Sequence, residues 1–210
     1  MVLNASILSS EYKANDLIKK FNDTEVSHIH LDVMDGKFVN NKSFTIGDIK
    51  KLNDISKKSF DVHLMVNNPI KYINELALFN VSVITFHYEA VKNIEDVINI
   101  IKNYGIKVGI AINPKTDISL LIPYLNMIDI ILVMSVEPGY SGQAFIETTF
   151  EKVSNLKELL LNNNSKALIE VDGGVNSENA RVLKENGADI LVSASFIQND
   201  TQNIKEITEL

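Results

Sequence analysis

Short apolar segments alternate with amphipathic ones along the whole chain. The alternation predicts eight strands, at Val2–Leu8, Ser27–Val33, Phe60–Met65, Ser82–His87, Ile106–Ile112, Asp129–Met134, Ala167–Val171 and Asp189–Ser193. Several, such as IKVGIAI and DIILVM, are nearly unbroken apolar runs, the pattern of parallel strands covered on both faces. The stretches between them carry helical periodicity with readable ends. Asn93 is expected to cap a helix carrying Ile94, Val97, Ile98 and Ile101 that stops at Gly105. Ser177 is expected to cap another, which packs Ala180 and Leu183 and stops at Gly187, and Phe150, Val153, Leu156 and Leu160 mark the buried face of a third. Eight strands, each followed by a helix, predict a closed (β/α)8 barrel as one domain over residues 1–210. A doubly wound open sheet is the rival architecture with the same alternation.

In such a barrel, chemistry sits where strands end and the following loops begin. The polar residues concentrate there. Strand 2 runs into HLDVMDGKFVNN (His30–Asn41), strand 3 ends in DVHLMV, strand 6 in VMSVEPGYSGQ, strand 7 in EVDGGVN and strand 8 in VSASF. His30 and Asp32 are two apart in a strand, so their side chains leave the same face. With Ile29 and Leu31 outward, that face is the barrel interior, where a His and an Asp are costly unless they hold something. His63 ends strand 3 and Asp172 ends strand 7. Two imidazoles and two carboxylates at strand ends are compatible with a divalent metal site. Taken singly, each has an ordinary reading: a hydrogen-bonded core histidine, or, for Asp172, the cap of the following turn.

Composition narrows the chemistry. The 210 residues include no Cys, so disulfides and thiolate metal sites are excluded and any metal must sit on imidazole and carboxylate. At 45% apolar, the chain is sufficient for one buried core. The opening MVLNASILSS lacks a basic leader region, and no run approaches the ~18 apolar residues of a membrane span, so a cytoplasmic protein without a membrane partner is expected. A net charge of −7 argues against nucleic acid. Arg181 is the only arginine, so a bound phosphate would depend on backbone N–H groups rather than guanidinium forks. Oligomeric state is not legible; a homo-oligomer is compatible with everything above.

The chain resembles the ribulose-phosphate 3-epimerase family along nearly its whole length. The matching segments are SILSS, HLDVMDGKFVNN, HLMV, TFHYEA, VGIAINP, VMSVEPGYSGQ, EVDGGVN and the end of strand 8, in the family's order and separations. The resemblance implies a TIM barrel of the ribulose-phosphate-binding type. It also implies interconversion of D-ribulose 5-phosphate and D-xylulose 5-phosphate, with a small sugar phosphate as the partner molecule. One divalent ion (zinc, iron, manganese or cobalt) would be held by His30, Asp32, His63 and Asp172. Asp32 and Asp172 would be the acid/base pair, and Ser6 and His63 would contact substrate. Met34, Met65 and Met134 would crowd the site, and His87 would stand behind it. Gly139, Tyr140, Ser141 and Gly142 form a loop that could close over the ligand. Gly173, Gly174, Ala194 and Ser195 stand at the usual barrel phosphate position. His28 is expected to be core, and Lys37, Lys42 and Lys115 solvated.

Three positions depart from the family pattern: Asn40 in place of proline, and Ser141 and Ala194 in place of glycine. Ala194 is expected to take an ordinary negative φ. A related epimerase of hexulose 6-phosphates is the nearest alternative. A decarboxylase or aldolase of the same barrel type would want a lysine at a strand end, and none is offered. A phosphosugar-binding module without activity is opposed by the retention of both aspartates and both histidines.

Overall fold

In the computed structural model, which describes residues 1–9 and 11–210, eight parallel strands close into a barrel in chain order. Ser10, the last residue of the SILSS segment, lies outside the described residues. The strands are β1 (Val2–Ser6), β2 (Ile29–Met34), β3 (Phe60–Met65), β4 (Val81–His87), β5 (Lys107–Ile112), β6 (Ile130–Met134), β7 (Leu168–Asp172) and β8 (Ile190–Ser193). They coincide with the expected segments to within two residues at each end. The helices are α1 (Ala14–Phe21), α2 (Ile46–Asn53), α3 (Ile70–Leu76), α4 (Ile94–Asn103), α5 (Thr148–Asn162), α6 (Ser177–Glu185), α7 (Ser195–Asn199) and α8 (Asn203–Thr208). The open-sheet alternative is excluded by the pairing of β1 with β8.

One connection differs from the expected pattern. Between β5 and β6 the chain makes a 3-10 segment, Ile118–Tyr124, instead of an α-helix. Pro123 lies inside it, and a proline both lacks the N–H and blocks the carbonyl four residues back. Two caps also differ. Asn176, not Ser177, caps α6: its side chain accepts from Glu178 and Asn179 N–H at 3.0 and 3.1 Å, and Asn179 accepts from Asn176 N–H at 2.9 Å. That reciprocal box needs the cap three residues before Asn179, which makes Ser177 the first helical residue. Asn93 does stand at the start of α4, but its amide donates to Asp96 at 2.5 Å instead of accepting a backbone N–H. On α5 the buried face is Thr149, Val153, Leu156 and Leu160; Phe150 is only partly buried, against Phe145.

Strand parity sorts the side chains. Residues directly opposite on neighbouring strands leave the same side of the sheet. Ser6 pairs with His30, Asp32 with His63, His63 with Thr85, Met134 with Asp172 and Asp172 with Val192, so all of these share the inner surface. The alternate residues, among them Leu3, Leu31, Val62, Leu64, Ile110, Val133 and Val171, face outward into one buried layer shared with the helices. Inside the barrel only two small apolar clusters remain, around Leu132 and around Ile130. Met34, Met65 and Val192 add apolar groups near the strand C-termini, and among these lie buried polar side chains, which are costly there unless each finds a partner. No described helix is long and apolar enough to cross a membrane.

Candidate active site

The inner face of β2, β3 and β7 delivers four donor atoms to one point at the strand C-termini. Asp32 Oδ1 lies 3.5 Å from His30 Nε2 and 3.2 Å from His63 Nδ1, and Asp172 Oδ2 lies 3.8 Å from each of those nitrogens. An ion bound tetrahedrally at about 2.0–2.1 Å holds its ligands roughly 3.3–3.4 Å apart, so the cluster has the size such an ion requires. Chemistry agrees with size. His30 Nδ1 is 2.7 Å from the Asp61 carboxylate, which leaves Nε2 pointing into the cluster, fully buried and without a hydrogen-bond partner among the described residues. An unpartnered imidazole nitrogen facing two carboxylates suits a cation. These four residues fit a divalent ion.

The same crowding separates the two aspartates. Burial would raise the pKa of Asp32, but His30 and His63 outweigh it and hold that carboxyl far below its usual range. Burial pushes Asp172 up to about 7, with the Asp32 charge adding to the rise. Burial alone would lower His30, yet Asp61 and Asp32 keep it well above the ordinary histidine value. So the pair divides into one firmly ionised carboxylate and one that holds a proton near neutrality. Ser6 Oγ donates to Asp32 Oδ2 at 2.9 Å and leaves Oδ1 to the cluster.

Above the cluster opens a cavity of about 490 Å³. Asp32 and Asp172 form its polar floor, Met34, Met65 and Met134 its apolar wall, and the loop from Pro138 to Phe145 one side. Gly173, Gly174, Ala194 and Ser195 also line it. Among the described residues, the backbone N–H groups of Gly174, Ala194 and Ser195 have no protein acceptor. Two of these glycines cannot be replaced without cost. Gly173 has φ 121°, and a Cβ there would lie 2.5 Å from Val136 Cγ2; Gly174 has φ 62°, and a Cβ would lie 2.9 Å from Phe145 N. The loops brace one another: Asn41 Nδ2 donates to Gly139 O at 3.2 Å, and Gln143 Nε2 donates to Glu137 O and Tyr140 O at 2.7 and 2.9 Å.

Residues 2–198 match the Ribulose-phosphate 3 epimerase family. A ribulose-phosphate 3-epimerase of Methanocaldococcus jannaschii is 41% identical over 93% of this chain and 83% of its own length. The chain belongs to the ribulose-phosphate 3-epimerase family. Epimerases of Chlamydia muridarum and Bacillus subtilis are similar to it at 37% and 35% identity, the latter over 98% of this chain and 95% of its own. Among solved structures, a tryptophan synthase α-subunit of Pyrococcus furiosus superimposes over 100% of this chain and 98% of its own with TM-score 0.70. At 16% identity that likeness speaks for the barrel fold alone.

Of the positions implied by the epimerase resemblance, Ser6, Asp32, Asp172, Gly139, Tyr140, Ser141, Gly142, Gly173, Gly174, Ala194 and Ser195 all line the one cavity. His63 does not. It is fully buried and reaches the site only through its Nδ1 in the cluster. Tyr140 is 58% exposed at the rim. Ala194 has φ −116°, negative as expected, with ψ −101°, outside the usual helical and extended values. His28 is not core: it is half-buried one layer below His30, with Nδ1 3.3 Å from Asn4 Oδ1. Lys37, Lys42 and Lys115 are exposed.

Sequence reasoning missed a second polar layer beneath the cluster. Asn4 Nδ2 donates to Asp61 Oδ2 at 3.0 Å and to Glu170 Oε1 at 2.9 Å. Burial and the neighbouring Asp61 raise Glu170 well above the usual carboxylate range, while His30 helps hold Asp61 below it against burial. One proton thus stays on Glu170, and the ionised Asp61 orients His30. Strand parity carried the signal, since Asp61 precedes His63 by two and Glu170 precedes Asp172 by two.

Proposed function

We propose that the chain interconverts D-ribulose 5-phosphate and D-xylulose 5-phosphate, and that His30, Asp32, His63 and Asp172 hold one divalent ion (zinc, iron, manganese or cobalt) at the cavity floor. The observation that carries this reading is the pairing of Asp32 and Asp172 across that floor with divided proton affinities. Inverting C3 of a 2-ketose requires a proton to leave one face of that carbon and another to arrive on the opposite face. Asp32, ionised and oriented by Ser6, accepts the proton from one side. Asp172, protonated near neutrality, delivers one from the other, and the roles exchange in the reverse direction. When bound, the ion supplies positive charge that stabilises the oxyanion character developing as the proton leaves. The three methionines exclude water from the reacting carbon and keep the surroundings weakly polar.

At the far end of the substrate, the free N–H groups of Gly174, Ala194 and Ser195 receive the phosphate. They must carry that role largely alone, because Arg181 is exposed on α6 and lines a different surface recess with Glu178 and Glu206. The test is a turnover assay on pentulose 5-phosphates and hexulose 6-phosphates with metal content measured on the same sample. Fast epimerisation of the pentulose by metal-bearing protein is expected. Preference for the hexulose, or full activity in protein without metal, would overturn the reading.

A further inference from the structure

The end of β1 is tied to α7 by a buried side-chain amide. The β1–β8 ladder runs from Val2 opposite Ile190 to Ala5 opposite Ser193. Just past it, Gln198 Nε2, on α7, donates to Ser6 O at 2.8 Å and to Leu8 O at 3.3 Å. Both acceptors are carbonyls, which cannot donate, so the amide nitrogen and not its oxygen must face them. Gln198 and Ser6 are both buried. The Ser6–Leu8 turn is also closed from within, Leu8 N–H donating to Ser6 Oγ at 3.2 Å. That bond occupies a lone pair of the hydroxyl and leaves its single proton for Asp32 Oδ2 at 2.9 Å. The backbone of Gln198 is held as well: its N–H donates to Ala194 O at 2.9 Å, and its carbonyl accepts from Lys20 Nζ at 2.6 Å.

Ala194 and Ser195, at the start of α7, line the substrate cavity, and so do Ser6, Leu8 and Asp32; Gln198 does not. It stands behind both groups and joins them. We propose that Gln198 is a positioning residue, which carries the placement of α7 on a bound phosphate to the Ser6–Leu8 turn and so to the aim of Asp32. A base must be held close to its productive geometry, and Ser6 supplies part of that hold at Oδ2. The aim of the hydroxyl depends in turn on the backbone that bears it. Removing the Gln198 amide takes a donor from two carbonyls of that turn, which then shifts in search of others. Binding energy gained at a remote group raises turnover only where it is converted into orientation at the reacting carbon. A hydrogen-bonded strut between the phosphate end of the cavity and the serine that aims the base makes such a conversion. The inference rests on the reading of Asp32 as a base and of the α7 loop as the phosphate site, which the test examines separately.

Gln198→Met keeps the length of the side chain and removes both donors. Its kcat on D-ribulose 5-phosphate should fall by roughly 10- to 100-fold, with KM changed by less than about threefold. In a Ser6→Ala background the same change should cost less than about twofold, because the group it acts through is gone. Circular dichroism checks each variant, and Gln198→Ala, which leaves space for water at the two carbonyls, is read by the same criteria should Gln198→Met fail to fold. A second readout needs no turnover: inorganic phosphate is titrated into the zinc-loaded protein and followed by amide NMR. The Gly174, Ala194 and Ser195 signals should move in the unaltered protein and in Gln198→Met alike, and those of Ser6 and Leu8 in the unaltered protein only. Movement at Ala194 and Ser195 without movement at Leu8 in the unaltered protein would overturn the proposal alone. So would a Gln198→Met loss in kcat that is equally large beside Ser6→Ala. No movement at Gly174, Ala194 and Ser195 would overturn the phosphate site and the proposal with it. The stated shifts in a protein that does not turn over the pentulose would support the coupling and refute the substrate reading alone.

Discussion

Asp172→Asn separates the catalytic demand on this barrel from its stability. In the metal-free protein the folded-state pKa of Asp172 is raised to about 7 from 3.8. The sign follows from the raised value. The group's contribution to stability is full below the unfolded pKa and is lost as pH rises through the folded one, because ionising it in the barrel is costlier than in water. With those two values the loss between pH 5 and pH 8 is roughly 2 to 3 kcal/mol. Asn carries no such charge. The variant should therefore lose about that much less stability over the same interval, while its turnover falls by roughly 10² to 10⁴ for want of a proton-transfer group. Urea unfolding of both chelated proteins at the two pH values, with turnover of the metal-bearing proteins beside it, makes the comparison. Taking the difference between the proteins cancels the other titrating groups. Equal pH dependence in the two would refute the assignment of strain to Asp172, and turnover within tenfold of the unaltered enzyme would refute its role as acid.

Metal binding should release at least one proton per ion near pH 6, because His30 is raised in the metal-free state and must shed its proton to ligate. Calorimetric titrations in two buffers of different ionisation enthalpy measure this, with affinity rising as pH rises; binding without proton release would contradict it. Gly173→Ala should destabilise by about 2 to 4 kcal/mol, from its φ of 121° and the collision with Val136, and adding Val136→Ala should recover only the packing part in urea unfolding. Ala194→Gly should change kcat/KM by less than about threefold, roughly 0.6 kcal/mol, since residue 194 already has a negative φ; a gain of tenfold or more would show that its methyl crowds the phosphate.

The barrel was legible because short apolar-rich segments of strand length alternate with amphipathic ones, and parity then placed His30, Asp32, His63 and Asp172 on one inner surface. Local hydrogen-bond choices were less so. Asn176 and Ser177 are both good caps, and only the reciprocal bond with Asn179 decides between them. The 3-10 segment before β6 follows from Pro123, whose effect depends on how the connection packs. His28 looked like core because it shares the parity of His30, but it stands at the open N-terminal end of the lumen, where parity does not imply burial. The packing of His87 and Glu89 behind His63 was hidden for a different reason. TFHYEA matched as a motif, yet Glu89 is held by Asn113 and Thr116 from just beyond β5, a contact only the folded barrel creates.

The central claim is that protons pass between Asp32, Asp172 and C3 of a pentulose phosphate. Turnover of D-ribulose 5-phosphate in deuterated water by the metal-bearing protein, followed by NMR of the product, tests it most directly. D-xylulose 5-phosphate carrying solvent deuterium at C3, lost together with turnover in both Asp32→Asn and Asp172→Asn, is the expected result. Efficient epimerisation without deuterium at C3 would point to carbon–carbon cleavage and contradict the account.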